Sequence, residues 1–375
     1  MTVPLAAAIT IEELECDPHP TLARLRASEP VAFVPALGAW LVTRRDLALH
    51  VLRDFDTFTV DDARFSTGRV VGPSMLTRDG GEHTRNRGPF APSLRLDPVR
   101  KRYEALVRAE TDALIDRFEP GRAEVRRQLA GPLAVRVVTH LLGLAGTETD
   151  TVLRWYDAIV GSVHGITAGL SPSSEGQAAF AELEETVGPL LDGIGDLSRD
   201  EAVSNAAVMM FGGIETTEGM IANLVFHLLA NPTELELVRL EPILLANALE
   251  ESLRLEPAAA VVDRYTTRRV TLAGAPIGER ELVTVSLAGA NRDPAFFRDP
   301  ERFDVRRQNA RHHLAFAQGP HVCIGMHLAR LEALVAVRRL LDRLPGLRLD
   351  PGHPTSPRGL VFRKPPRLDV VWDGG

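Results

Sequence analysis

The chain has 375 residues, 45% of them apolar and 25% charged, the composition of an ordinary globular protein, which excludes disordered, collagen-like and disulfide-scaffold classes. Its 43 basic residues against 50 acidic ones give a net charge of −7, so no global positive field is available to hold nucleic acid or an anionic membrane. Two cysteines, Cys16 and Cys323, are too few for a disulfide framework or a cysteine-rich zinc site, and a reducing, cytoplasmic setting is expected.

The N-terminal apolar stretch at residues 3–10 has no basic region before it and is followed by Glu12, Glu13 and Glu15, which argues against secretion. Residues 31–35 and 40–43 flank Leu37-Gly38-Ala39 and read as a β-hairpin, with a helix from Arg45 to Arg53 after it. Apolar residues then recur at helical spacing over 99–142, and Ser-Pro-Ser-Ser-Glu-Gly at 171–176 reads as a loop. The strongest helix start is Ser198, which can cap the helix while Glu201 reaches back to it; the pattern runs to Ala230 before Asn231-Pro232. At 1.5 Å per residue this helix is roughly 48 Å long and must cross the body of the protein. Gly212, Gly213, Thr216 and Thr217 fall at its midpoint.

From 260 to 287 the sequence is rich in strands and turns, which predicts a second, smaller β region. Helix returns from Gly325 to about Arg343, and short strands are expected around 360–363 and 368–372. The longest run of purely apolar residues and glycine near the middle, Ala206 to Ile214, is far short of a membrane span. No repeat or linker divides the chain, so the expectation is one domain over 1–375, mainly α with a small β region.

Dinucleotide-binding glycine patterns, phosphate loops, zinc-protease helices and serine-hydrolase elbows are absent from the sequence. What it does contain is Phe316-Ala317-Gln318-Gly319-Pro320-His321-Val322-Cys323-Ile324-Gly325, a loop that enters a helix with a lone cysteine at its mouth. A helix N-terminus acidifies a thiol placed there, and a thiolate suits a soft metal; the flanking glycines allow a flat ligand to approach the backbone. A buried structural cysteine is the alternative that the residue type alone favours.

Phe316, Gly319, His321, Cys323 and Gly325 fill every fixed position of F-x-x-G-x-H-x-C-x-G, and here the sequence resembles the cytochrome P450 family, whose iron ligand is a Cys thiolate. Glu251-Ser252-Leu253-Arg254 resembles the family's E-x-x-R helix, with Arg302 expected to complete a Glu-Arg-Arg triad. Gly212-Gly213-Ile214-Glu215-Thr216-Thr217 resembles the segment that faces haem and dioxygen, and Glu82 to Arg87 contains H-x-x-x-R as His83 and Arg87. The likeness spans nearly the whole chain. Gly80-Gly81 stands where prolines are frequent, Ala317 replaces a frequent glycine, and the stretch 178–198 leaves little room for the helix expected before the long one.

The resemblance implies a soluble bacterial P450 fold that binds haem b through Cys323, with His83, Arg87, Arg264 and His321 toward the propionates and Phe316 and Gly213 beside the ring. It implies Glu215 and Thr216 as a proton relay, and a small organic substrate, with apolar lining expected from Met75-Leu76, Met209, Phe211, 259–262 and 360–362. The expected activity is insertion of one oxygen atom from O₂. The chain ends about fifty residues after Cys323, so electrons from NAD(P)H are expected through a separate ferredoxin and ferredoxin reductase. Arg298, Arg302, Arg306, Arg307, Arg311, Arg330, Arg338 and Arg339 offer a local basic face for that partner. Oxidative coupling, rearrangement or peroxide-driven chemistry, and a non-catalytic haem carrier, are the alternatives. A carrier would show no ligand-stimulated NAD(P)H use.

Overall fold

In the computed structural model, residues 5–167 and 170–373 are described; the first two residues of the N-terminal apolar stretch lie outside them. Strands β1 (Val31–Val34) and β2 (Ala39–Val42) form the expected antiparallel hairpin, with Gly38 in the left-handed region at the turn. The strands of the 260–287 region are β5 (Val261–Thr266), β6 (Val270–Leu272), β7 (Ala275–Ile277) and β8 (Leu282–Ser286), following the short β3 (Phe58–Thr59) and β4 (Arg122–Glu124). They do not form a separate β unit. β8 pairs parallel with β2 and antiparallel with β5, giving one five-stranded sheet in the order β1-β2-β8-β5-β3. Only β6 and β7 stand apart as a hairpin.

The continuous helical pattern over 99–142 is broken in the structure. A helix from Leu96 to Ile115 is followed by β4, a π turn at Arg126–Ala130 and a helix from Gly131 to Leu141. β4 pairs with β10 (Asp369–Val371), which also pairs with β9 (Arg348–Leu349), so distant pairing partners claimed residues that local periodicity had assigned to helix. Residues 360–363 form no strand beyond a single bridge between Phe362 and Ala259.

The long interior helix spans Arg199–Ala230, and both halves of its Ser198–Glu201 capping box form. It packs against the helices Gly131–Leu141, Ser174–Leu191, Leu244–Leu255 and Met326–Arg343, and most of its side chains are buried. The helix thought to lack room is present: it begins at Ser174, inside the presumed loop, where the Ser173 hydroxyl accepts from the Gly176 N–H at 3.0 Å. Gly176 lets it approach the helix Thr149–Thr167, because a Cβ there would lie 2.5 Å from the Cβ of Ser162. Among the described residues, no helix is long and apolar enough to cross a membrane.

Candidate active site

The cysteine loop is shaped by two backbone requirements. Gly319 has φ +78°, and a Cβ on it would lie 2.3 Å from the carbonyl oxygen of Leu52, at the end of the helix Arg45–Arg53; only glycine fits. Ala317 also sits in the left-handed region, at φ +56°. The Cys323 N–H donates to the Phe316 carbonyl at 2.9 Å, closing the loop on itself. The Arg330 guanidinium lies 4.4 Å above the Phe316 ring while binding Glu250 through two hydrogen bonds of 2.7 and 2.9 Å, and Glu250 also meets His313 at 3.1 Å. Phe316 and Arg330 thus brace the loop against the helix Leu244–Leu255.

Cys323 keeps accessible surface at the start of the helix Met326–Arg343. Burial pushes its thiol above the ordinary value, opposed by the N–H groups of Gly325 and Met326 and by Arg87 and Arg330. The expected acidification by the helix terminus is therefore outweighed in the protein alone; a bound cation would reverse the balance, since coordination deprotonates a thiol.

The interior helix shows a matching accessible strip. Val208, Phe211, Gly212, Glu215 and Thr216 retain surface at a helical spacing of three to four, while Met210, Ile214 and Thr217 between them are buried. Gly212 has open space where a Cβ would be. Gly213 also keeps part of its surface, and a Cβ on it would lie 2.7 Å from Cγ2 of Val138, so its missing side chain serves packing against the helix Gly131–Leu141. The Thr216 hydroxyl donates to the Gly212 carbonyl at 2.5 Å. Among the expected lining residues, Met75, Met209 and Ala260 are core side chains, whereas Phe211 is part-exposed and meets the Phe362 ring edge-on at 5.9 Å.

His83, Arg87 and His321 come together. The His83 and His321 rings are 4.4 Å apart, and Arg87 donates to the Val322 carbonyl at 2.6 Å. Sequence reasoning missed Asp79, which immediately precedes the helix Gly80–Arg87. It accepts from His321 at 2.7 Å, from the Thr59 hydroxyl at 2.6 Å and from the Val60 N–H at 2.9 Å. Burial works against its anion, but these hydrogen bonds prevail and bring its carboxyl down to about 2. Burial, then the neighbouring His321 and Arg87, lowers His83 to about 4, and its Nε2 is buried with no partner. Arg264 is buried on β5, donates to the Asp263 carbonyl at 2.7 Å and feels the Asp79 charge.

The Glu251–Arg254 pair is fully buried, joined by hydrogen bonds of 2.7 and 2.8 Å. The third member is Arg307, whose Nε meets Glu251 at 2.8 Å. Arg302 contributes only its carbonyl, which accepts from both arginines, while its side chain is 65% exposed. The predicted basic face shrinks accordingly. Arg307 is internal, Arg330 is paired with Glu250, Arg306 with Glu241 and Arg339 with Asp112. Arg298 and Arg302 stay exposed while lying 3.6 Å from Asp299 and Glu234, and Arg311 is exposed.

A thiol and a glycine-faced helix strip with accessible surface, an orphaned buried imidazole nitrogen and two nearby arginines fit a flat, iron-bearing ring with two carboxylates. The family profile described as Cytochrome P450 matches residues 181–367. The cytochrome P450 monooxygenase PikC of Streptomyces venezuelae is 35% identical over 95% of this chain and 90% of its own length. The 6-deoxyerythronolide B hydroxylase of Saccharopolyspora erythraea is 32% identical over 97% of this chain and all of its own. The chain belongs to the cytochrome P450 family. The crystal structure of CalO2 shares the fold with a TM-score of 0.86 at 29% identity, covering 98% of this chain and 99% of CalO2. The protein is therefore a haem b oxidoreductase of the P450 monooxygenase type, using O₂, an organic substrate and a redox partner.

Proposed function

We propose that Cys323 would hold the haem iron through its thiolate and that the enzyme inserts one atom of O₂ into an apolar, secondary-metabolite-like substrate. The accessible thiol, met by the Gly325 and Met326 N–H groups at a helix entry, carries this reading. His83 and Arg264 hold the propionates with Arg87; His321, fixed by Asp79, orients the His83 ring. When bound, haem supplies electron acceptance and oxygen activation. The net reaction consumes O₂, two electrons and two protons, and yields oxygenated product and water.

Glu215 and Thr216 deliver the protons. Phe211 and Phe362 give the substrate side an apolar, aromatic wall. A relative named mycinamicin IV hydroxylase/epoxidase, 32% identical over 93% of this chain, supports a substrate of that general kind. An acidic ferredoxin, reduced by NAD(P)H through its reductase, docks at the exposed Arg298, Arg302 and Arg311 in the cytoplasm, where free thiols persist.

The test is spectroscopic. Reduced protein with CO shows the red-shifted Soret band of thiolate ligation, Cys323→His loses it, and Cys16→Ser keeps it. Retention of the band by the Cys323 variant overturns the assignment.

A further inference from the structure

Phe211 is the bulkiest side chain on the accessible strip of the interior helix, and it is followed directly by Gly212, which has open space where a Cβ would be. Part of its ring packs on the main apolar cluster and part keeps accessible surface. Phe362, also part-exposed, meets it edge-on, with ring centroids 5.9 Å apart and planes at 76°. The two rings therefore form a corner beside an empty position.

The crossing of two elements brings the rings together. Two residues of extended chain advance about 6.6 Å and four residues of helix about 6 Å, so a segment that puts Lys364 at Glu215 puts Phe362 at Phe211. The buried Lys364 is held there, with its Nζ 2.7 Å from Oε1 of Glu215 and 2.6 Å from Oε2 of Glu218. The other oxygen of Glu215 accepts from the Tyr156 hydroxyl. Backbone hydrogen bonds clamp Phe362 from both sides: the Ala260 N–H donates to the Val361 carbonyl at 2.8 Å, and the Arg363 N–H to the Ala258 carbonyl at 2.9 Å. Arg363 is bound to the buried Glu256 at 2.6 Å, and Asn223 on the interior helix donates to the Arg363 carbonyl at 2.9 Å. Neither backbone is free to retreat.

We propose that the Phe211–Phe362 corner selects the substrate by shape: the part of it that reaches the haem side is a flat aromatic ring laid over Gly212, and globular saturated groups are turned away. This rests on the reading of the strip as the face turned toward haem. An edge-to-face pair leaves one ring face and one ring edge unmatched, and a third aromatic ring completes that corner better than an aliphatic group does. Phe211 takes the depth that a globular group needs, while Gly212 leaves room for something thin.

The experiment probes the site with ligands that reach the iron themselves, so no natural substrate is required. Holoenzyme is titrated with imidazole, 1-phenylimidazole and 1-(1-adamantyl)imidazole, and dissociation constants are read from the shift of the Soret band. The wild type binds the phenyl ligand about tenfold or more tighter than the adamantyl one. In Phe211→Ala the adamantyl ligand gains about tenfold and the phenyl ligand loses about three- to tenfold, while imidazole, too small to touch the corner, is unchanged. Phe362→Leu keeps bulk but removes a ring, so the phenyl ligand alone weakens; this variant carries the test if Phe211→Ala does not load haem. A wild type that binds the adamantyl ligand as tightly as the phenyl one, with constants that still respond to the variants, overturns the proposal and leaves the strip beside haem. Constants that neither variant moves overturn the placing of the strip itself.

Discussion

Glu251 and Glu215 are both glutamates beside cations within the protein, yet their surroundings differ in kind. Glu251 has no exposed surface, and its ring of partners is closed: Arg254 and Arg307 spend their remaining donors on the carbonyls of Asn291, Arg298, Asp299, Pro300 and Arg302. Glu215 keeps 19% of its side-chain surface, is tied by one shared ammonium and one hydroxyl, and lies on the accessible strip of the interior helix. The first arrangement is enclosed; the second borders open surface. A dense charge network holds the Glu251 region, while Glu215 sits beside open surface.

The closed knot gives the largest expected effect. Glu251→Ala or Arg254→Ala leaves a buried charge unpaired, at a cost of about 3–5 kcal/mol, and holoprotein yield should collapse. Arg307→Ala should behave similarly, whereas Arg302→Ala, whose guanidinium is solvated, should change stability by no more than about 0.5 kcal/mol. Denaturant unfolding and the haem-to-protein absorbance ratio check both. Equal losses from Arg302 and Arg307 would break the contrast.

On the accessible strip of the interior helix the effect is expected on coupling and not on stability. Thr216→Ala removes a hydroxyl on the accessible strip, so product per NAD(P)H should fall about tenfold or more while substrate affinity holds. Thr217 is buried, and its alanine variant should stay coupled. Peroxide and product are counted per NAD(P)H with a substrate found by spectral screening; tight coupling in Thr216→Ala contradicts the relay.

The two helix glycines separate packing from the haem face. Gly213→Ala drives a methyl into Val138 and should cost about 1–3 kcal/mol. Gly212→Ala meets no atom and should gain up to about 1 kcal/mol of helix propensity in the apoprotein. If the strip faces haem as proposed, the methyl would enter the space beside the ring and haem loading would weaken, as titration of apoprotein with haemin would show.

Much of this was legible because it is local. The loop from Phe316 to Gly325, the capping box at Ser198 and Glu201, and the His83–Arg87 spacing are each contained in one short segment, so their geometry follows from helix and turn rules. What escaped depends on segments far apart in sequence. Arg302 and Arg307 flank the same turn, and only the packed meander decides which guanidinium reaches Glu251. The direction of Gly213 depends on Val138, the joining of β8 to β2 on long-range pairing, and the Lys364–Glu215 contact on how the C-terminal segment crosses the interior helix. Lys364 left one signal, being one of two lysines in a chain that otherwise uses arginine.

The smallest expected effect lies in the cysteine loop. Ala317 occupies a left-handed conformation that costs a side chain about 1–2 kcal/mol, where its neighbour Gly319 has no Cβ to strain. Ala317→Gly removes that strain, but a glycine gives the unfolded chain more freedom, which offsets about 0.4–1 kcal/mol. The methyl is also partly buried against the apolar cluster around the five-stranded sheet, so some packing is lost with it. The balance favours the glycine by about 0.5 kcal/mol, a rise of about 0.6 °C in Tm for a chain of this size. Calorimetry of the holoprotein can resolve that shift. A fall in Tm would mean that the methyl's packing outweighs its strain, and that the bend at Ala317 is held by its neighbours at no net cost.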